Sequence, residues 1–264
     1  MRSLPFAALY DGQKYLVEKY SLALIPTFAL TDTDYQRSNN FNILAMGISK
    51  STVGLPAIPA AGVEVDFLSQ KIWKGQGFLN EETTVEQLKK VNLGSSFDIV
   101  HLATHAEFLA GEFKNSFILF WQNKLSLKTL QRLSKNIKLN KVKMLVLSAC
   151  QSALGDEKAE LGFSGLAINA GVKTGLGTLW SIDDKASLVL MSDFYSHLKT
   201  ESLKAEALRK AQIAMLKGES AIKNGQMKLS NGESLALPQS LVEGDSEYTH
   251  PYYWAAFTLI GNWN

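Results

Sequence analysis

Two short apolar runs constrain this chain more than any other feature. "FDIVHLATHA" (97–106) and "VKMLVLSAC" (142–150) are each long enough for one strand and too continuously apolar for a strand with a wet face. Runs of this kind suit the interior of a parallel sheet covered on both sides. "FNILAMGIS" (41–49) and "TGLGTLWSID" (174–183) read the same way. Between and after them lie segments with helical spacing. "AAGVEVDFLSQKIW" (60–73) places Val63, Phe67, Leu68 and Ile72 on one stripe, and "NEETTVEQLKKV" opens a polar helix with a Thr and acids in its first turns. "AELGFSGLAINAG" (159–171) is a helix of small residues, and "DKASLVLMSDFYSHLK" and "SLKAEALRKAQIAMLK" are amphipathic. Strands alternating with helices predict an α/β fold, a three-layer α/β/α sandwich with a mainly parallel central sheet.

The flanking segments are less regular. "EKYSLALIP" (18–26) reads as a strand stopped by Pro26, "SFILFWQNKLSL" as a hairpin turning at Asn123 and Lys124, and "LSLKTLQRL" as a short helix. The chain ends on the strand-like "YYWAAFTLIGNW". Residues 218–250 are polar and rich in Gly, Ser and Asn, which predicts a flexible or regulatory loop. No internal boundary is visible, so residues 1–264 read as one domain.

Composition removes several functions. A net charge of +2 gives no field to attract nucleic acid or an anionic membrane, and no apolar run is long enough to span a bilayer. The single cysteine rules out an internal disulfide and a thiolate-rich metal site, and the N-terminus lacks a signal-peptide pattern. A cytoplasmic location is the expectation. The four histidines form no zinc-enzyme pair, because His101 and His105 lie on a strand, where their spacing does not converge on one ion. The glycines of "GVKTGLGTLW" follow a helix instead of opening one, which excludes a dinucleotide fingerprint. Neither a cofactor nor a metal is expected.

In a parallel sheet, ligands bind beyond the carboxyl ends of the strands. His105 ends one apolar run and Cys150 ends another. If those strands are neighbours, their ends lie ~5 Å apart, and an imidazole can lower the thiol pKa and shuttle its proton. The backbone N–H of Cys150 and that of Ala106 would face the same crevice and hold an oxyanion. His101 shares the face of His105 but lies ~13 Å deeper along the strand, the place of a hydrogen-bonded core histidine. Asp183 and Asp184 end the strand after the cysteine strand; a carboxylate there favours a cationic substrate side chain, with Asp184 the first choice and Asp183 the second, and with helix capping as the competing role. Asp156 and Glu157 read as a solvated loop. Trp180, Tyr253 and Trp254 read as core or crevice wall, and His197 as surface.

"HLATHAEF", "LVLSACQSALGD", "GFSGLAINAGVKTGLGTLWSIDD", "FYSHL" and "HPYYWAAFTLIGNW" resemble, in order, the motifs of the CHAT domain, the peptidase-like domain related to caspases and separases and often fused to tetratricopeptide repeats. The resemblance implies a caspase-like fold, a His105/Cys150 dyad, and separase-like use of an acid shortly after Leu179-Trp180. Ala106 stands where caspases carry glycine, and the cysteine lies in Ser148-Ala149-Cys150-Gln151-Ser152. Both departures fit CHAT proteins and weigh against cleavage after aspartate. "RSLPFAAL" resembles a part of the domain that usually follows further sequence, so the chain reads as lacking its most N-terminal segment. The expected activity is that of a cysteine endopeptidase cutting a protein partner after a basic residue, gated by a regulatory repeat domain or an activating partner. The alternative is an inactive CHAT-like protein-binding or scaffold module.

Overall fold

A computed structural model describes residues 4–25, 40–91, 96–107, 116–126, 128–129, 132, 142–148, 167–168, 170–242 and 246–264. Its centre is a six-stranded sheet of β1 (Ile43–Gly47), β2 (Gly75–Leu79), β3 (Ile99–Ala103), β7 (Met144–Ser148), β8 (Thr174–Thr178) and β12 (Phe257–Gly261), in the order β12-β8-β7-β3-β1-β2. All neighbours are parallel except β12 against β8. The expected mainly parallel sheet is therefore present.

Side-chain alternation sorts the layers. On one face Ile43, Ala45, Ile99, Met144, Val146 and Leu176 meet helices α1 (Pro59–Asp66), α3 (Asp184–Leu198) and α4 (Lys204–Leu216). On the other, Leu44, Met46, Val100, Leu102, Leu145 and Leu147 meet α2 (Val85–Lys90) and a small antiparallel sheet. That sheet joins β4 (Ala106–Glu107), β5 (Phe117–Phe120) and β6 (Asn123–Ser126). Burial on both faces explains why the central strands read as continuous apolar runs. Among the described residues, no helix is long and apolar enough to cross a membrane.

Several local expectations need correction. Residues 218–250 do not form a structureless loop. They carry β9 (Ala221–Lys223), β10 (Gln226–Lys228) and β11 (Ser234–Ala236), a three-stranded antiparallel sheet. Ile222, Met227, Leu229, Leu237 and Leu241 pack from it into the core. Asn224 and Gly225, with φ of 51° and 69°, make the two-residue turn of its first hairpin. The earlier hairpin turns at Trp121 and Gln122, not at Asn123 and Lys124, which already belong to β6. The strand expected over 18–26 is instead a helical turn (Leu16–Lys19) followed by a single bridge from Leu24 to Ile260. The helix expected over 60–73 is α-helical only to Asp66 and continues as a π-helical turn, Phe67–Ile72. The helices expected over 125–133 and 159–171 lie largely outside the described residues.

Helix α1 comes very close to the sheet. A Cβ on Gly47 would stand 2.7 Å from Val65 Cγ2 and 3.1 Å from the Ala103 carbonyl oxygen. Gly47→Ala is expected to push α1 outward and destabilise the protein by about 1–3 kcal/mol, measured as a lower urea midpoint at unchanged slope.

Candidate active site

β3 and β7 are adjacent and parallel, with Ala103 opposite Ser148. Their carboxyl ends, one followed by His105 and the other by Cys150, emerge on the same side of the sheet. Cys150, Asp156 and Glu157 lie outside the described residues. At this corner α1 and the start of α3 close over the strand ends and leave a cavity of about 50 Å3, lined by Ile58, Ala61, Glu64, Thr104, His105, Ser148, Ile182, Asp184 and Ser187.

His105 is half-buried, and its Nε2 lies 2.9 Å from the Pro56 carbonyl oxygen. A carbonyl only accepts, so Nε2 must carry the proton, which leaves Nδ1 as the ring's free acceptor. The segment bearing Pro56 is held in turn by Asn80, whose Oδ1 accepts from the amides of Ser49 (2.9 Å) and Lys50 (3.0 Å). Beyond His105 the chain enters β4. The Leu119 N–H donates to the His105 carbonyl at 2.8 Å, which makes these two the hydrogen-bonded pair. Ala106, opposite Ile118, is then in the alternate kind of pair, and its N–H turns away from β5.

Beneath the cavity lies a buried polar chain that reading the sequence did not reveal. Glu64, 2% exposed, sits on α1. Its Oε2 accepts from the Ser148 hydroxyl at 3.2 Å, and its Oε1 lies 3.0 Å from His101 Nε2. The second approach is off the hydrogen-bond axis, so neither atom has an aligned partner. On its other side His101 Nδ1 is 3.0 Å from the Tyr195 hydroxyl. Burial, reinforced by the charge of Glu64, holds the Tyr195 pKa well above its ordinary value, so the phenol keeps its proton and can donate it to Nδ1. His101 is thus the hydrogen-bonded core histidine expected from its place on the strand. The clue to Glu64 was available: it falls among the buried positions Ala60, Ala61, Val65 and Leu68 of one helical stripe, where a lone carboxylate needs a partner.

The two aspartates have separate positions. Asp183 caps α3, its Oδ1 accepting from the Ala186 amide at 3.0 Å. Asp184 lines the cavity, and its Oδ2 accepts from the Ala60 amide at 2.8 Å, at the first turn of α1. Burial raises the Asp184 pKa to about 6, against the lowering effect of the Ala60 amide, and the charges of Glu64 and Asp183 push the same way as burial.

The C-terminal motif supports this corner from outside. Trp180 Nε1 donates to the Tyr252 carbonyl at 2.9 Å, and the Tyr252 hydroxyl donates to the Ser181 carbonyl at 2.7 Å. His250 Nδ1 accepts from the Tyr252 amide at 3.2 Å and so caps the helical turn Pro251–Trp254. Trp254 is wholly buried core. His197, expected at the surface, is half-buried: its Nε2 is 2.9 Å from the Ser230 hydroxyl and 3.5 Å from buried Asp193. Asp193 also accepts from the Ser230 amide at 3.0 Å, so this cluster fastens the small C-terminal sheet to α3. Both Ser230 and Asp193 approach the same ring nitrogen, which is not the relay of a nucleophilic triad.

A mainly parallel sheet covered on both faces, with a polar crevice at its carboxyl edge, defines an α/β domain of the three-layer class. The chain belongs to the CHAT domain family, whose model matches residues 1–262. Among solved structures it is similar to separase from Saccharomyces cerevisiae, in the separase–securin complex, with a TM-score of 0.54 and 14% identity over 99% of this chain. The chain spans only 15% of that separase chain. A second similar structure is Porphyromonas gingivalis RgpB in the complex of its pro- and mature domains, with a TM-score of 0.45 and 8% identity over 93% of this chain and 50% of that one. Curated protein sequences contain no match to the chain.

The raised Asp184 pKa has a consequence for stability. Between the ordinary value of 3.8 and about 6 the folded protein keeps a proton that the unfolded chain releases. The resulting stabilisation is complete below pH 3.8 and is lost as pH rises through about 6. In Asp184→Asn this decline, on the order of 3 kcal/mol, is expected to disappear, measured as the urea-unfolding free energy across pH 4–7.

Proposed function

We propose that the chain is a cysteine endopeptidase domain that cuts a protein partner after a basic residue. One observation supports the reading: β3 and β7 are parallel neighbours with Ala103 opposite Ser148, and in the sequence His105 and Cys150 each follow the end of one of these strands by two residues. Adjacent strands are ~4.8 Å apart, close enough for side chains at two strand ends to come within the hydrogen-bond reach that proton exchange between a thiol and an imidazole needs.

The chemistry follows from the free acceptor. The Cys150 thiol gives its proton to Nδ1 of His105, while Nε2 stays committed to the Pro56 carbonyl. The thiolate attacks the scissile carbonyl carbon, and the N–H groups of Cys150 and Ala106 donate hydrogen bonds to the oxygen on which the negative charge develops. As the C–N bond breaks, the imidazolium returns its proton to the leaving amine. A thioester remains. Water, giving a proton to the same imidazole, hydrolyses it and frees the thiol. Asp184 supplies the negative charge for the residue before the cut, whereas Asp183 serves α3 as its cap. The substrate is a protein, and an upstream repeat module or an activating partner controls access. Nucleic acid and membrane have no part in this reading.

A thiol-directed probe and a peptide library test it together. Cys150 is expected to label rapidly near neutral pH, with at least a tenfold slower rate in His105→Ala, because the imidazole raises the thiolate fraction. Cleavage is expected to vanish in Cys150→Ala. Labelling as slow as that of an ordinary thiol and unaffected by His105→Ala, with no peptide cut, would instead identify an inactive binding module.

A further inference from the structure

We propose that Asn80 is a positioning residue for His105: by gripping the foot of the 49–58 loop it keeps the Pro56 carbonyl where the imidazole can donate to it. What that alignment does for a thiol rests on the peptidase reading above; the alignment itself does not.

The loop has little else to place it. The ladder between β1 and β3 ends at Gly47 opposite Ala103, and one further bond, from the Ile48 N–H to the Ala103 carbonyl, closes it. Beyond that point most of 50–57 is exposed. The Leu55 N–H donates to the Thr52 carbonyl at 2.9 Å and the Ser51 hydroxyl to the Leu55 carbonyl at 2.8 Å. These bonds shape the loop from within but tie it to nothing outside. Leu55 adds an apolar contact with the cluster of Ile48, Phe117 and Leu119. The ion pair of Lys50 with Glu81 has both side chains more than half exposed, at 59% and 58%, and such a pair contributes little.

Asn80 supplies the missing anchor. It is 8% exposed. Its Oδ1 accepts from the amides of both Ser49 and Lys50, while its Nδ2 donates to the Ser49 hydroxyl at 3.2 Å. Two N–H groups converging on one atom identify that atom as the oxygen, so the amide has a single orientation. Its φ of 51° is a conformation asparagine adopts more readily than most side chains. Thr83 locks this backbone: its N–H donates to the Asn80 carbonyl at 2.8 Å, and its hydroxyl donates to the Gly47 carbonyl at 2.8 Å. The line of support therefore runs from the turn after β2, through one buried amide, to the foot of the loop, and from Pro56 to Nε2 of His105. Displacing the amide would strip two backbone donors of their acceptor at once.

The test reads the ring itself. In protein labelled with 15N at histidine, a hydrogen-bonded imidazole N–H exchanges slowly with water and gives a proton signal; the His105 signal is the one absent from His105→Ala. Asn80→Gly keeps the backbone conformation and removes the amide. It is expected to speed exchange of the His105 Nε2 proton about tenfold. Asn80→Asp, which keeps the paired acceptor, is expected to preserve the signal. The Nε2 proton of His101, deep in the core, is expected to be unaffected and reports the fold. Labelling of Cys150 is expected to slow about threefold in Asn80→Gly and to recover in Asn80→Asp. Unchanged His105 exchange in a folded Asn80→Gly protein, or equal loss in the glycine and aspartate variants, overturns the proposal. If the glycine variant loses the His101 signal as well, Asn80→Ser, whose hydroxyl is too short to reach both amides, is read by the same criterion. A His105 signal that follows Asn80, beside Cys150 labelling indifferent to His105→Ala, keeps the tether and loses the peptidase. Rapid labelling and peptide cleavage with a His105 signal blind to Asn80 keeps the peptidase and loses the tether.

Discussion

Helix α1 lies against β1 at a separation that only glycine permits, because the space a Gly47 Cβ would need is filled by Val65 and by backbone of the neighbouring strand. Most of the functional corner depends on that approach. It lowers Glu64 into the layer between helix and sheet, where its two oxygens reach toward β3 through His101 and β7 through Ser148. It also brings the first turn of α1 to the carboxylate of Asp184, which joins α1 to α3. β3 and β7 are thus tied from above by one buried side chain. The polar chain from Ser148 through Glu64 and His101 to Tyr195 runs across the helix layer at the point where the crevice opens.

The acids in this corner differ in burial, Glu64 being almost wholly enclosed and Asp184 partly so. Asp184 is held partly by a helix amide and strained by a neighbouring acid, so its proton affinity reflects a balance of burial, amide donation and repulsion. His105 has a different kind of support. Its partner is neutral, a carbonyl that fixes orientation and tautomer without adding charge. A neutral imidazole fixed in that way has its Nε2 proton committed to Pro56 and keeps Nδ1 as its acceptor, the arrangement that the proposed shuttle would use.

Much of this was legible in the residues. The central strands announced themselves because burial on both faces leaves no polar alternation, and the place of His101 in the middle of such a strand marked it as a satisfied interior group. The choice between Asp183 and Asp184 was legible only as an order of preference. Adjacent residues at a helix start can each cap or face the cavity; the sequence ranks Asp184 first for the cavity while leaving a cap open to either, and the structure gives the cap to Asp183 and the cavity to Asp184. The stretch 218–250 misled for a compositional reason. Its polar residues face outward on short strands, while Ile222 and Met227 alternate inward, and the Asn224-Gly225 pair was the hairpin signal inside it. The apolar spacing of Val63, Phe67, Leu68 and Ile72 hides Glu64, because the buried face of α1 is turned to Ala60, Ala61, Glu64 and Val65. Pro56 left no signal at all, since its contribution is a backbone oxygen that every residue possesses.

That oxygen belongs to the segment between β1 and α1, outside the ladder of the central sheet. Its position depends on the side-chain amide of Asn80, a residue with φ of 51° at the exit of β2. The cohesion of the molecule and the alignment of its imidazole are therefore maintained by separate sets of contacts. A fully folded sheet does not by itself guarantee an oriented ring; that orientation is a property of a tether some fifty residues upstream of the histidine that it steadies.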